Sequence, residues 1–276
     1  MLIIKVLYSK IVEYERETRD PRTADLPVAS SLTYTMALVG LYLLTVLKLG
    51  PAFMSNRKPF EIKRILQIYN VLQIAGNLYI VHQCVVVYLY HPNFNWSCFN
   101  TAKTDYSPET MAFLTPAVFG YWLKFSDFLE TIFYVLRKKR NQVSFLHVYH
   151  HSTVFVGCCL YIKYCFASHF TMIPLVNCFV HTVMYTYYLA ASLDLKIDFL
   201  PWKRRITQLQ ILQFFFFAVH TLLALANNWC GLSTLILTVL FIQDTYIAVM
   251  FANFYYRTYV VNRRKIENNI KEIKQT

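Results

Sequence analysis

Seven times between residues 30 and 254 the chain runs apolar for about the length of a bilayer crossing, roughly 20 residues. The runs are 30–49, 66–88, 112–134, 145–164, 172–192, 207–226 and 232–254. Backbone in hydrocarbon must satisfy its own hydrogen bonds, and a run of this length does so as a helix. The expected fold is an all-α membrane protein with seven transmembrane helices. Composition agrees, since 15% of residues are charged, against roughly a quarter in a soluble domain. The net charge of +12 would suit a nucleic-acid binder. The basic residues, however, sit at the ends of apolar runs, where they act as topology signals and attract anionic lipid or phosphate. No nucleic-acid partner is expected.

Those signals alternate. Arg57, Lys58, Lys63 and Arg64 lie between the first and second runs, Arg137 to Arg140 between the third and fourth, and Lys196, Lys203, Arg204 and Arg205 between the fifth and sixth. The tail carries Arg257, Arg263, Arg264, Lys265, Lys271 and Lys274, while the opposite loops offer little beyond Lys103 and Lys163. The positive-inside rule places the first set and the tail in the cytosol. An odd number of helices then puts the N-terminus on the far, luminal side. Residues 1–28 read as a solvent-exposed arm with a short helix near Lys5–Tyr14, residues 29–256 as the membrane domain, and 257–276 as a basic cytosolic tail. The arm's five Lys/Arg residues are accompanied by five acids. Met1 to Tyr8 is too short for a cleaved signal peptide, so the first helix is expected to act as the targeting signal. Asn95-Trp96-Ser97 is a glycosylation sequon. Cys98 and Cys230 fall in far-side loops, where an oxidising lumen would bridge them; two free thiols are the alternative.

The membrane runs carry polar residues in stripes. His147, His150 and His151 open the fourth run at i, i+3 and i+4, within one narrow helical arc. Imidazole can move protons near neutral pH, act as a nucleophile or bind metal, and ionisable groups inside a membrane point to function. Three histidines packed in a helix interface are the bland alternative. Lys124, Asp127 and Thr131 share a face with Glu130 at its edge, and Asn177, His181, Tyr185 and Tyr188 line up in the fifth run. The second run carries Gln67, Asn70, Gln73 and Asn77, the sixth carries Thr207, Gln210 and Gln213, and the seventh ends in Asn253-Phe254-Tyr255. Amides and hydroxyls often serve as interhelical glue, the preferred reading for Gln67 and Asn77. In the orientation above, nearly all these groups lie in the cytosolic half or at mid-membrane. A polar chamber open to the cytosol, continued by an apolar interior, suits a charged head with a long apolar tail, such as an acyl-CoA.

These blocks resemble the ELO family of very-long-chain fatty acid elongases over about residues 30–260. The family's HxxHH box matches His147, His150 and His151. Its fifth-helix block resembles Asn177 to Tyr188, its TxxQxxQF block Thr207, Gln210, Gln213 and Phe214, and its last-helix block Phe251 to Tyr255. One block departs: the family's KxxExxDT reads here Lys124-Phe125-Ser126-Asp127-Phe128-Leu129-Glu130-Thr131, with the two acids exchanged in length. The resemblance implies six helices enclosing a substrate tunnel open to the cytosol, in a multi-pass protein of the endoplasmic reticulum membrane. It implies a 3-oxoacyl-CoA synthase that joins long-chain acyl-CoA to malonyl-CoA and releases carbon dioxide and CoA. No metal or cofactor beyond these substrates is expected. The partners it brings are membrane lipid, the reductase and dehydratase of the elongation cycle, and a second copy in a homodimer.

Within that reading His150 accepts the acyl group or acts as base. His147, His151 and His181 complete the chamber, Asn177 orients an imidazole, and Lys124 stabilises carboxylate or enolate charge. Asp127, Glu130, Thr131, Tyr185, Tyr188, Gln210, Gln213, Asn253 and Tyr255 are expected to contact substrate. Two other classes compete. A membrane di-iron oxidase needs several histidine boxes, and His82, His91, His169 and His220 are isolated. A seven-helix receptor or transporter fits the topology, yet neither a DRY-like nor an NPxxY block is present.

Overall fold

The computed structural model describes residues 9–10, 13, 15, 17–92, 94–95, 99–193, 195–228 and 231–261. Among them the protein is all-helical, with one isolated bridge, Asn100 to Ser168, and no strand. The main helices are α1 (Leu32–Met54), α2 (Lys63–Tyr90), α3 (Leu114–Ser126), α4 (Phe128–Leu136), α5 (Phe145–Tyr164), α6 (Met172–Ser192), α7 (Leu200–Ala226) and α8 (Thr234–Tyr255). Four helices among the described residues, α1, α2, α7 and α8, are long and apolar enough to cross a membrane. The fourth and fifth runs form α5 and α6, of 20 and 21 residues, with histidines and polar groups diluting their apolar character.

The third run differs from expectation. It forms two helices of 13 and 9 residues that meet at Asp127. There the turn tightens, and the Glu130 N–H bonds the Asp127 carbonyl three residues back at 3.2 Å.

The distribution of side chains is inverted relative to a water-soluble protein. Asn77 and Thr131 are fully buried, while Leu212, Phe215, Ile242 and Val249 are each more than 60% exposed. Apolar groups outside and amides inside are what a hydrocarbon solvent selects.

The chain divides into two compact units. The first comprises residues 1–60, 82–143 and 147–174. Its core joins α1, α3, α4 and α5 through Tyr42, Val46, Tyr121, Phe128, Phe155, Cys159 and Ile162. Tyr42 stacks on Phe128 at 4.0 Å. The Thr35 and Tyr121 hydroxyls are hydrogen-bonded at 3.0 Å.

The N-terminal segment belongs to this core, contrary to the exposed arm expected from its polarity. Asp20, Arg22, Thr23, Ala29 and Ser30 are buried. Arg22 pairs with Asp20 at 2.7 Å and donates to the Thr101 hydroxyl and the Phe166 carbonyl. The Thr23 hydroxyl donates to the Ile162 carbonyl at 2.8 Å, and Lys163 pairs with Glu15. Lys103 donates to the Thr18 carbonyl. The charges that looked solvated thus satisfy one another and the end of α5. Residues 9, 10, 13, 15, 17 and 18 are helical; the remainder of the helix expected near Lys5–Tyr14 lies outside the described residues.

The second unit comprises residues 61–81, 144–146 and 175–276. Here α7 and α8 pack along one another, with Phe214 against Phe251 at 4.8 Å. Thr221 donates to the buried Asp244 at 3.2 Å. Gln67 donates to the Ser192 carbonyl at 3.1 Å, acting as the interhelical glue foreseen for it, whereas Asn77 bonds within its own helix to the Gln73 carbonyl.

Candidate active site

In the first unit, two helix segments converge. The first two turns of α5 present the box histidines, while the α3–α4 joint presents Lys124, Asp127, Glu130 and Thr131. Lys124, Asp127, Glu130, Thr131 and His151 are buried; His147 and His150 are half-buried. His147 Nε2 hydrogen-bonds the Thr131 hydroxyl at 2.8 Å, and that hydroxyl also meets Tyr42 Oη at 2.9 Å. His151 Nε2 stands 3.8 Å from a Glu130 carboxylate oxygen, and the other oxygen accepts from Tyr134 Oη at 2.6 Å. Lys124 Nζ donates to Asp127 at 3.2 Å. The rings of His147 and His151 are 4.2 Å apart, and His150 meets His151 edge-on at 5.7 Å. The helical period delivers this grouping: i and i+4 on α5 face Glu130 and Thr131, which are adjacent on α4.

The second unit holds its own buried polar set. Tyr185 is fully buried, with His181 and Tyr188 rings 5.8 and 5.9 Å from it. Tyr69 Oη meets Tyr185 Oη at 3.4 Å and accepts from Gln73 at 3.0 Å. Gln210 reaches the Met184 sulfur at 3.5 Å. The side-chain oxygens of Asn77, Asn177 and Gln213 are buried with no hydrogen-bond partner among the described residues. Such orphaned acceptors are uncommon in a finished interior and mark places where a donor is awaited. Asn253 is exposed and accepts from Arg257 at 3.1 Å, and Tyr255 accepts from Arg204 at 2.8 Å and Gln208 at 3.0 Å.

The model of the GNS1/SUR4 family, ELO, matches residues 27–267. The chain belongs to the ELO family. Among its relatives are very long chain fatty acid elongase 7 of Drosophila melanogaster, 33% identical over 91% of this chain and 76% of that protein. Very long chain fatty acid elongase 4 of Mus musculus is 35% identical over 91% of this chain and 81% of its own. Elongase F of Drosophila melanogaster is 36% identical over 87% and 94%.

For this ELO member the exchanged acids have a structural meaning. Asp127 is long enough to hold Lys124, and Glu130 is long enough to reach both Tyr134 and His151. Two tyrosines of the site, Tyr42 and Tyr134, escaped the sequence reading. Tyr134 lies i+4 from Glu130, a spacing that could have signalled it; nothing marked Tyr42 among 21 tyrosines. The ligand atoms of Glu130, His147 and His151 all lie within 4.8 Å of one another, so these three could together hold one ion. Asn95 is exposed, as a sequon requires. Trp96, Ser97, Cys98 and Cys230 lie outside the described residues, and with them the disulfide expectation.

Proposed function

We propose that this chain is a very-long-chain 3-oxoacyl-CoA synthase, the condensing enzyme of fatty acid elongation. It joins long-chain acyl-CoA to malonyl-CoA and releases carbon dioxide and CoA. Membership of a family whose relatives are named very long chain fatty acid elongases supports the reaction. One observation carries the site: the HxxHH arc of α5 is packed on Glu130 and Thr131, with His147 hydrogen-bonded to Thr131 and His151 standing 3.8 Å from the Glu130 carboxylate.

In the proposed sequence His150 attacks the acyl thioester carbonyl, the acyl–nitrogen bond forms and the CoA thiolate leaves with the imidazole proton. Malonyl-CoA then loses carbon dioxide. The resulting enolate attacks the acyl group, its carbon–carbon bond replacing the bond to His150; 3-oxoacyl-CoA departs and the imidazolate left on His150 takes up a proton from water. His147 is oriented by its hydrogen bond to Thr131, His151 stands beside the Glu130 carboxylate, and Lys124 supplies positive charge for the malonyl carboxylate or the enolate. Asn177, His181, Tyr185, Tyr188, Gln210 and Gln213 are assigned to substrate, with the orphaned amide oxygens of Asn177 and Gln213 as acceptors for it. Asn253 and Tyr255 keep the same assignment at the start of the basic tail.

The architecture we infer has seven spans, six of them around a tunnel open to the cytosol, in the endoplasmic reticulum membrane. The N-terminus is luminal and the C-terminus cytosolic. No resident metal or cofactor is proposed. The reductase and dehydratase of the cycle and a second copy of the chain remain proposed partners.

The test is purified protein in detergent with labelled malonyl-CoA and a panel of acyl-CoAs, His150→Ala alongside. Native protein is expected to give both carbon dioxide and 3-oxoacyl-CoA, and the variant neither. An acyl adduct on the intact native protein, absent from the variant, separates nucleophile from base. The Glu130–His147–His151 group favours a metalloenzyme as the second reading. Stoichiometric iron with no condensation product would establish it.

A further inference from the structure

Between α1 and α4 the first unit carries an apolar cleft of about 310 Å³, none of whose lining residues is a box histidine. It is lined by Val46, Leu49 and Phe53 on α1 and by Ile132, Val135 and Leu136 on α4, with Thr45 and Gly50 between. Its origin is a π turn at Thr45–Leu49, where one extra residue per turn widens α1. Gly50 then lets the two helices close below it. A Cβ at Gly50 would lie 2.8 Å from both the Thr45 carbonyl oxygen and Val135 Cγ1. Leu49 and Phe53, which line the cleft, are about half exposed.

One end of this cleft is strongly basic. Phe53, which lines it, is covered by the Arg57 guanidinium at 3.8 Å from the ring, and that guanidinium also donates to the Phe53 carbonyl. Leu136, which lines the opposite wall, is followed directly by Arg137, Lys138, Lys139 and Arg140. Lys138 adopts a left-handed conformation, φ 55°, and donates to the Ser55 carbonyl at 3.2 Å, so the two basic loops are tied together. Phe60 N–H to the Leu136 carbonyl, 3.1 Å, ties them again. Neither 45–60 nor 131–143 contains an acidic residue.

An apolar slot ending in fixed cations is complementary to an amphiphile with an acyl chain and an anionic head. We propose that this cleft binds an anionic glycerophospholipid of the surrounding leaflet, its acyl chain between α1 and α4 and its phosphate and headgroup on Arg57, Lys58, Lys139 and Arg140. The proposal rests on the membrane orientation inferred above, in which these loops are cytosolic and meet the leaflet richer in anionic lipid. Binding of this kind tethers the α1–α2 and α4–α5 loops to the bilayer surface without entering the condensing chemistry.

Native mass spectrometry of the full-length protein in detergent tests it, with palmitoyl-oleoyl phosphatidylserine and phosphatidylcholine as paired probes. Phosphatidylserine is expected to be retained about tenfold better. Each basic side chain near a membrane surface contributes up to about a fivefold preference, so Lys58→Gln/Lys139→Gln should erase most of it. Leu49→Trp, which fills the cleft from an exposed position, should lower retention of both lipids. Equal retention of the two lipids, or retention unchanged by Leu49→Trp, overturns the proposal. So does displacement by an equimolar acyl-CoA, which would make the cleft a substrate route. Condensing activity, measured on the same variants in neutral detergent, should not change, so a failure of the lipid site is distinguishable from a failure of the enzymatic reading. Protease protection of the tail in intact vesicles tests the orientation separately.

Discussion

Glu130 does the work of two contacts that an aspartate could not span. Its oxygens reach Tyr134 at 2.6 Å and His151 at 3.8 Å from opposite sides. Asp127, with one methylene fewer, closes a short pair with Lys124. The exchanged acids are therefore matched to their separate partners. Glu130→Asp should withdraw the carboxylate from His151 and lower kcat about 10- to 100-fold, since an ångström of misplacement costs rate on that scale. KM for acyl-CoA should move much less. Asp127→Glu together with Glu130→Asp, which restores the family order, should recover part of the loss. Steady-state kinetics on the three variants checks both statements, and equal loss in the single and double variants would show that the exchange is neutral packing.

At the scale of elements, the apolar runs announced their helices, because a membrane helix is specified by length and apolarity together. The runs 145–164 and 172–192 coincide with α5 and α6. What they could not announce was the joint at Asp127. A tightened turn leaves the apolar pattern on both sides intact, so periodicity is blind to it. The box histidines were legible because their spacing maps onto one face; their hydroxyl and carboxylate partners on another helix were suggested only through the family block. The loop between α2 and α3 shows the opposite case, a local network written in short-range polar residues. His91 hydrogen-bonds Thr110 at 3.1 Å, Thr110 donates to Asp105 at 2.6 Å, and the Ser107 N–H donates to Asp105 at 3.0 Å. These bonds hold the Asp105 carboxyl down at about 2, while burial pushes the His91 imidazole below its usual 6.5. A histidine held neutral contributes stability above pH 6.5 and loses it as pH falls below that value. The thermal stability advantage of the native protein over His91→Asn should therefore be largest near pH 7.5 and shrink by pH 5.5. Asp105 stays ionised across that interval and adds no slope. Melting curves in detergent at the two pH values check this.

Across the whole molecule, hydrogen-bonded polar side chains share the interior with the apolar core. The buried polar side chains are inside because hydrocarbon offers them nothing, and Leu212, Phe215, Ile242 and Val249 are among the exposed residues of α7 and α8. The misjudged segment belongs to this scale. Asp20 and Arg22 look solvated when counted one at a time, but as a 2.7 Å pair capped by Thr101 and Phe166 they are interior residues. Arg22→Ala leaves the Asp20 carboxylate buried without its partner and should cost about 3–5 kcal/mol, read as a lower melting temperature. Asp20→Asn/Arg22→Ala should cost distinctly less, because no orphaned charge remains. The same pair also sets an order of events during synthesis. Arg22 leaves the ribosome early, yet its acceptor at Phe166 is 144 residues away, and the Ile162 carbonyl that receives Thr23 is 139 residues away. The N-terminal segment must wait, charged and hydrated, until α5 has been made. Its docking is a closing clasp, and a nascent chain stalled before residue 166 would carry an open, protease-sensitive N-terminus.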